Sequence, residues 1–107
     1  MSETFALIVS LLDSNDVRIS EHAYDELADD EITVDDVLAG LRNGTVVEDY
    51  PEFPKGPCVL VLEFDHAGRP LHALWGIPND LSKPAVLITA YRPDPNRWNE
   101  TFTERRK

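Results

Sequence analysis

All eight prolines of the chain fall after residue 50, and of its five glycines only Gly40 and Gly44 come earlier. Proline lacks an N–H donor and clashes with the preceding turn, so helices belong to the first part and short strands and turns to the second. Ser2 is the N-cap of an expected helix running to about Asp13. Phe5, Ile8, Leu11 and Leu12 lie near one face of it, and Leu7 and Val9 widen the apolar surface. Asp13-Ser14-Asn15-Asp16 ends that helix, and Val17-Arg18-Ile19 is a short strand candidate. Ser20 can cap a second helix, from Glu21 to about Ala28, by accepting first-turn N–H groups. Thr33-Val34-Asp35-Asp36 is a capping box with Asp in place of Glu; Val34, Val37, Leu38 and Leu41 follow at i, i+3, i+4 and i+7. Asn43-Gly44 supplies the stop.

Strands are expected at Thr45 to Tyr50, Cys58 to Phe64, Leu71 to Ile77 and Ala85 to Tyr91. Helices first and strands after give an α+β fold, with N-terminal helices packed on one face of a mostly antiparallel four- to five-stranded sheet. The link from Asp65 to Pro70 is short enough for a hairpin. Alternation groups Cys58, Leu60, Leu62 and Phe64 against Val59, Val61 and Glu63, and Leu71, Ala73, Trp75 and Ile77 against His72, Leu74 and Gly76. If Leu60, Leu62 and Trp75 face the helices, the other face carries Glu63 and His72 and is the expected working surface.

The chain has 107 residues, 42% of them apolar, which suits a single domain. Its apolar runs reach five residues, as at Phe5 to Val9, against the roughly 20 of a membrane-spanning helix. Met1-Ser2-Glu3-Thr4 carries an acid where a secretory signal would carry a base, so a cytoplasmic location and no membrane association are expected. Cys58, the one cysteine, provides for neither an internal disulfide nor a multi-cysteine zinc site. Charge is unevenly divided. Residues 1–52 hold fourteen acids and two bases, residues 53–107 six acids and eight bases, and the net charge is −10. Such acidity argues against DNA, because phosphate binding relies on Lys and Arg displacing counterions. Arg92, Arg97, Arg105, Arg106 and Lys107 nevertheless leave a basic C-terminal stretch to which a small anionic ligand or a short RNA would suit.

His72, Glu48, His22 and Tyr91 are the candidate catalytic residues. His72 is expected to point away from the core, between Leu71 and Ala73, where a titratable ring can work. Glu48 near it would make the carboxylate–imidazole arrangement of general acid–base chemistry; the plain alternative for Glu48 and Glu63 is a solvated strand carboxylate. His22 falls in a helical first turn, which favours neutral imidazole, and serves either as base or as an anchor of helix to sheet. Tyr91 and Arg92 end the last strand. Arg92 could clamp a phosphate and Tyr91 stack or donate, or Tyr91 could form a structural corner under Pro93. His22, His66, His72 and Cys58 lack the short spacing of a metal motif, and no Gly-rich phosphate loop or nucleophile elbow is present, so no metal and no cofactor are expected. Trp98 is expected to anchor the C-terminal segment over the sheet.

Arg18-Ile19-Ser20-Glu21-His22-Ala23, Ile32, Asn43-Gly44, Glu48, Tyr50-Pro51, Leu71-His72, Thr89-Ala90-Tyr91-Arg92-Pro93-Asp94-Pro95 and Trp98 follow one another in a recurring bacterial pattern. In this the chain resembles the domain-of-unknown-function 4258 family, over about Arg18 to Trp98. The family is in turn similar, distantly, to the RelE and BrnT type toxins of toxin–antitoxin pairs. The resemblance implies a RelE-like fold, and a metal-independent ribonuclease or a degenerate relative of one, with an antitoxin or other protein as partner. It also divides the chain into an additional helix at 1–16, a family-like core at 17–98 and a basic tail at 99–107. One departure reverses a local sign: the family carries Arg a turn after the motif His, and this chain has Glu26. Two functions follow. Either the domain cuts RNA, with His72 and His22 as acid or base, Glu48 as their partner and Arg92 as phosphate clamp, or it is a non-enzymatic module whose acidic helices hold a basic partner. The apolar excess of the first helix adds the expectation of a homodimer or an antitoxin complex.

Overall fold

The computed structural model describes residues 2–106; Met1, and Lys107 of the basic tail, lie outside the described residues. The elements run α1 (Glu3–Asp13), β1 (Val17–Ile19), α2 (Glu21–Asp29), α3 (Val34–Leu41), β2 (Thr45–Tyr50), β3 (Cys58–Phe64), β4 (Pro70–Gly76) and β5 (Ala85–Tyr91). Each helix begins where a side-chain oxygen takes up an otherwise unpaired first-turn amide. Ser2 accepts from Phe5 at 3.0 Å, Ser20 from Ala23 at 3.0 Å and Thr33 from Asp36 at 3.1 Å.

Among the described residues the fold is α+β, three helices and one five-stranded sheet in the order β1-β5-β4-β3-β2. All neighbours are antiparallel except β1 and β5, which are parallel and make the sheet mixed. Ile8 and Leu11 of α1, Ala23 and Leu27 of α2, and Val37 and Leu41 of α3 form the core with Val59, Val61, Leu71, Ala73, Trp75 and Leu87 of the sheet. Among the described residues no helix is long and apolar enough to cross a membrane.

The faces of β3 are the reverse of the expected ones. Val61 pairs with Ala73 and Glu63 with Leu71, so Val59, Val61 and Glu63 turn to the helices; Leu60, Leu62 and His72 share the opposite face. The physical reason is that β3 is buried on both sides. A strand apolar on both faces carries no alternation that says which one meets the helices. At the His72 end of its second face, residues after β5 lie over the sheet, with Trp98 buried against the His72 ring.

Two β-bulges set what that second face displays. In β2, Val46 opposes Val61 while Glu48 opposes Leu60, leaving Val47 as the extra residue. In β5, Leu87 opposes Trp75 while Thr89 opposes Leu74, leaving Ile88 as the extra residue. Strict alternation from the inward-facing Val46 and Leu87 would turn Glu48 and Tyr91 toward the helices. One inserted residue in each strand turns both to the other side.

Candidate functional site

On the face away from the helices, His72 lies between Leu62 of β3 and Tyr91 of β5 in the pairing register. It is fully buried, not outward-facing as expected, because the C-terminal segment closes over it. The Trp98 ring stands edge-on to the imidazole at 4.4 Å between centroids, and the Tyr91 ring at 5.4 Å. Nε2 lies 2.8 Å from the carbonyl oxygen of Phe102, which fixes it as the donor. Nδ1 is then the acceptor, 3.3 Å from the Tyr91 hydroxyl. Burial lowers the His72 pKa from its ordinary value; the Phe102 carbonyl and the charge of Glu48 oppose that shift. Burial also raises that of Tyr91.

Glu48 joins this cluster from β2. The Arg105 guanidinium grips its carboxylate with both arms, Nε donating to Oε2 at 2.7 Å and Nη2 to Oε1 at 3.1 Å; the Tyr50 hydroxyl donates to Oε1 at 2.7 Å. Arg105 and then Tyr50 hold the Glu48 carboxyl below the usual carboxylate range, against burial. Arg105 also lies over the Trp98 ring, 4.7 Å from its centroid. Next to the cluster, and sharing Tyr50 as a wall, an open apolar groove of about 560 Å³ runs between Phe53, Cys58, Leu74, Val86 and Ile88.

Three of the residues singled out in the sequence, Glu48, His72 and Tyr91, are thus brought together. His22 is not. It is exposed in the first turn of α2, on the helix side of the sheet, with its Nε2 3.8 Å from Glu26. Nor does Arg92 offer a free guanidinium. Its Nη2 donates to Asp65 at 2.8 Å and Nη1 to the Pro70 carbonyl at 3.1 Å, and its backbone N–H donates to Asp30 at 2.7 Å. The side chain closes the β3–β4 hairpin against the end of β5. Arg105 was missed because a tail residue has no periodicity to place it, with Trp98 followed by a run of bases as the signal available; Tyr50, at the end of β2, was quoted in the family pattern but given no role.

Glu63, expected on the working surface, instead enters the helix side, 1% exposed. Its carboxyl reaches Gly40 of α3, where an added Cβ would stand 2.9 Å from Oε1. Desolvation pushes its pKa up to about 9; the Trp75 indole faces it and pulls the other way, yet neither the carboxyl oxygens nor the indole N–H completes a well-formed hydrogen bond. His66, in the hairpin link, is exposed and pairs with Asp36 of α3, Nδ1 to Oδ2 at 2.9 Å. Among the described residues no three His, Cys, Asp or Glu side chains gather as a metal site would require.

Residues 19–92 match the model of one family, described as a domain of unknown function, DUF4258. No curated protein and no solved structure matches the chain.

Proposed function

We propose, for a chain that belongs to the DUF4258 family, that the sheet face of His72, Tyr91 and Glu48 is the working surface of a toxin-like domain that cuts RNA without a metal. The observation that carries this reading is the pair of bulges. Each departs from regular pairing, and each brings a polar residue beside His72 that regular alternation would have sent into the core. Bulges recur next to active sites because they re-aim side chains in this way.

The chemistry needs two proton transfers. The Glu48 carboxylate takes the proton of a ribose 2′-hydroxyl as that oxygen attacks phosphorus; the P–O5′ bond breaks, and His72, having first taken up a proton at Nδ1 so that this nitrogen donates to the Tyr91 hydroxyl, returns the Nε2 proton to the departing 5′ oxygen. Tyr91 holds Nδ1 and so aims Nε2. The groove beside Tyr50 and Phe53 offers a flat apolar seat for a base. A likeness to RelE and BrnT type toxins, an antitoxin partner and a cytoplasmic setting belong to the same proposal.

The test is RNA incubated with the purified chain in excess EDTA. Slow cleavage leaving 2′,3′-cyclic phosphate ends is expected, and Glu48→Gln should reduce it ~100-fold or more. RNA left intact by the wild type and by Arg105→Glu, which frees the Glu48 carboxylate from its guanidinium partner, would overturn the reading. A second reading, a module that holds a basic partner, is favoured by the exposed acids Glu21, Asp25, Asp29, Glu31 and Asp35. Under it, neutralising Asp25 and Asp29 would weaken a salt-sensitive protein complex and RNA would stay intact.

A further inference from the structure

The residues that bury His72 form a unit of their own. From Arg97 to Arg106 the chain doubles back: Trp98 bridges to Arg105, the Asn99 N–H donates to the Glu104 carbonyl at 2.9 Å, and the Arg106 N–H to the Arg97 carbonyl at 2.8 Å. The Asn99 side chain ties the turn by accepting from Thr103 N–H at 2.9 Å. This hairpin touches the sheet face through three groups. Trp98 lies on the His72 ring, the Phe102 carbonyl accepts from Nε2, and Arg105 grips Glu48.

Its grip is weak in two places. Phe102, whose carbonyl caps Nε2, sits at φ 60°, a left-handed conformation that a bulky side chain adopts only under strain. Arg105 is mostly exposed, so water reaches the Arg105–Glu48 contact from the guanidinium side and competes with the carboxylate for its N–H groups. The hairpin also lies wholly beyond the residues that match the family.

We propose that residues 97–106 are a cover over the His72 site, latched by Arg105 on Glu48, and that the site works only while the cover is lifted. The inference rests on the RNA-cutting reading for its purpose, since lifting the cover frees both the Nε2 of His72 and the carboxylate of Glu48. The cover itself stands on contacts that can be measured without any substrate.

The experiment uses the full chain and the variant Arg105→Glu, in which the latch becomes a repulsion. Diethyl pyrocarbonate labelling, resolved by peptide mass, reads the accessibility of His72 separately from the exposed His22 and His66. The variant should label at His72 about five- to tenfold faster than the wild type, and cut RNA faster by a similar factor. Labelling restored to the wild-type rate in Glu48→Arg/Arg105→Glu would support the latch directly. Faster labelling without RNA cleavage supports the cover and overturns the ribonuclease reading. Unchanged labelling in a folded variant, or a variant that loses a cleavage the wild type has, overturns the cover. If Arg105→Glu does not fold, hydrogen exchange on the wild type decides. The Asn99 and Arg106 amides should exchange through a local opening well before those of β3 and β4, and equal protection would overturn the inference.

Discussion

Glu63 is the residue whose removal should help the fold. Its carboxyl is buried without a well-formed hydrogen bond, and its folded pKa is raised, so the folded chain holds a proton that the unfolded chain releases above pH 4.5. Stability therefore falls as pH rises from 4.5 through about 9, by about 1.4 kcal/mol per unit at the steepest. Glu63→Met is expected to gain about 1 to 3 kcal/mol at neutral pH and to flatten that slope in denaturant titrations. His72 behaves in the opposite sense. Its folded pKa is depressed, so the unfolded chain takes up the proton first, and its contribution is full above 6.5 and lost as pH falls through the folded value. Because the ring is buried and bonded on both nitrogens, His72→Ala should cost about 2 to 5 kcal/mol; a midpoint unmoved by that change would contradict the burial.

Arg92 acts on the scale of elements. It joins the β3–β4 link at Asp65 and Pro70 to the end of β5, while its N–H meets the acid that caps α2, Asp30. Lysine cannot reproduce a planar fork on a carboxylate and a carbonyl at once, so Arg92→Lys should lower stability by about 1 to 3 kcal/mol in urea melts. The elements themselves were legible in the sequence. Ser2, Ser20 and Thr33 marked the helix starts, and Pro and Gly punctuated the strands. The orientation of β3 was not legible, since Cys58 to Leu62 is apolar at every position and only a covering segment elsewhere in the chain decides which side needs protection. For the site, residue type pointed to His72, Glu48 and Tyr91, but their burial depended on Trp98, Phe102 and Arg105, which lie on no regular element. The bulges at Val47 and Ile88 left no mark in the alternation.

Across the whole molecule, α1 is part of the core and not an appendage to it. Ile8 and Leu11 are buried against the sheet, and of the large apolar residues on that helix only Leu7 is left largely exposed. Removing residues 2–13 is expected to abolish the cooperative unfolding transition seen by circular dichroism. A truncated chain that melts cooperatively would show that the sheet and two helices suffice. Light scattering of the full chain at micromolar concentration tests the expected self-association: twice the chain's mass would support it, and the mass of a monomer would leave α1 as intramolecular core alone. The parallel pairing of Val17–Ile19 with Ala85–Leu87 carries a consequence in time. On the ribosome β1 emerges early and has no neighbour until β5 follows, so α1 and α2 must wait, apolar faces uncovered, for most of synthesis. Pairings so distant along the chain slow folding, and the wait is when a nascent chain of this topology is most exposed to proteases and chaperones.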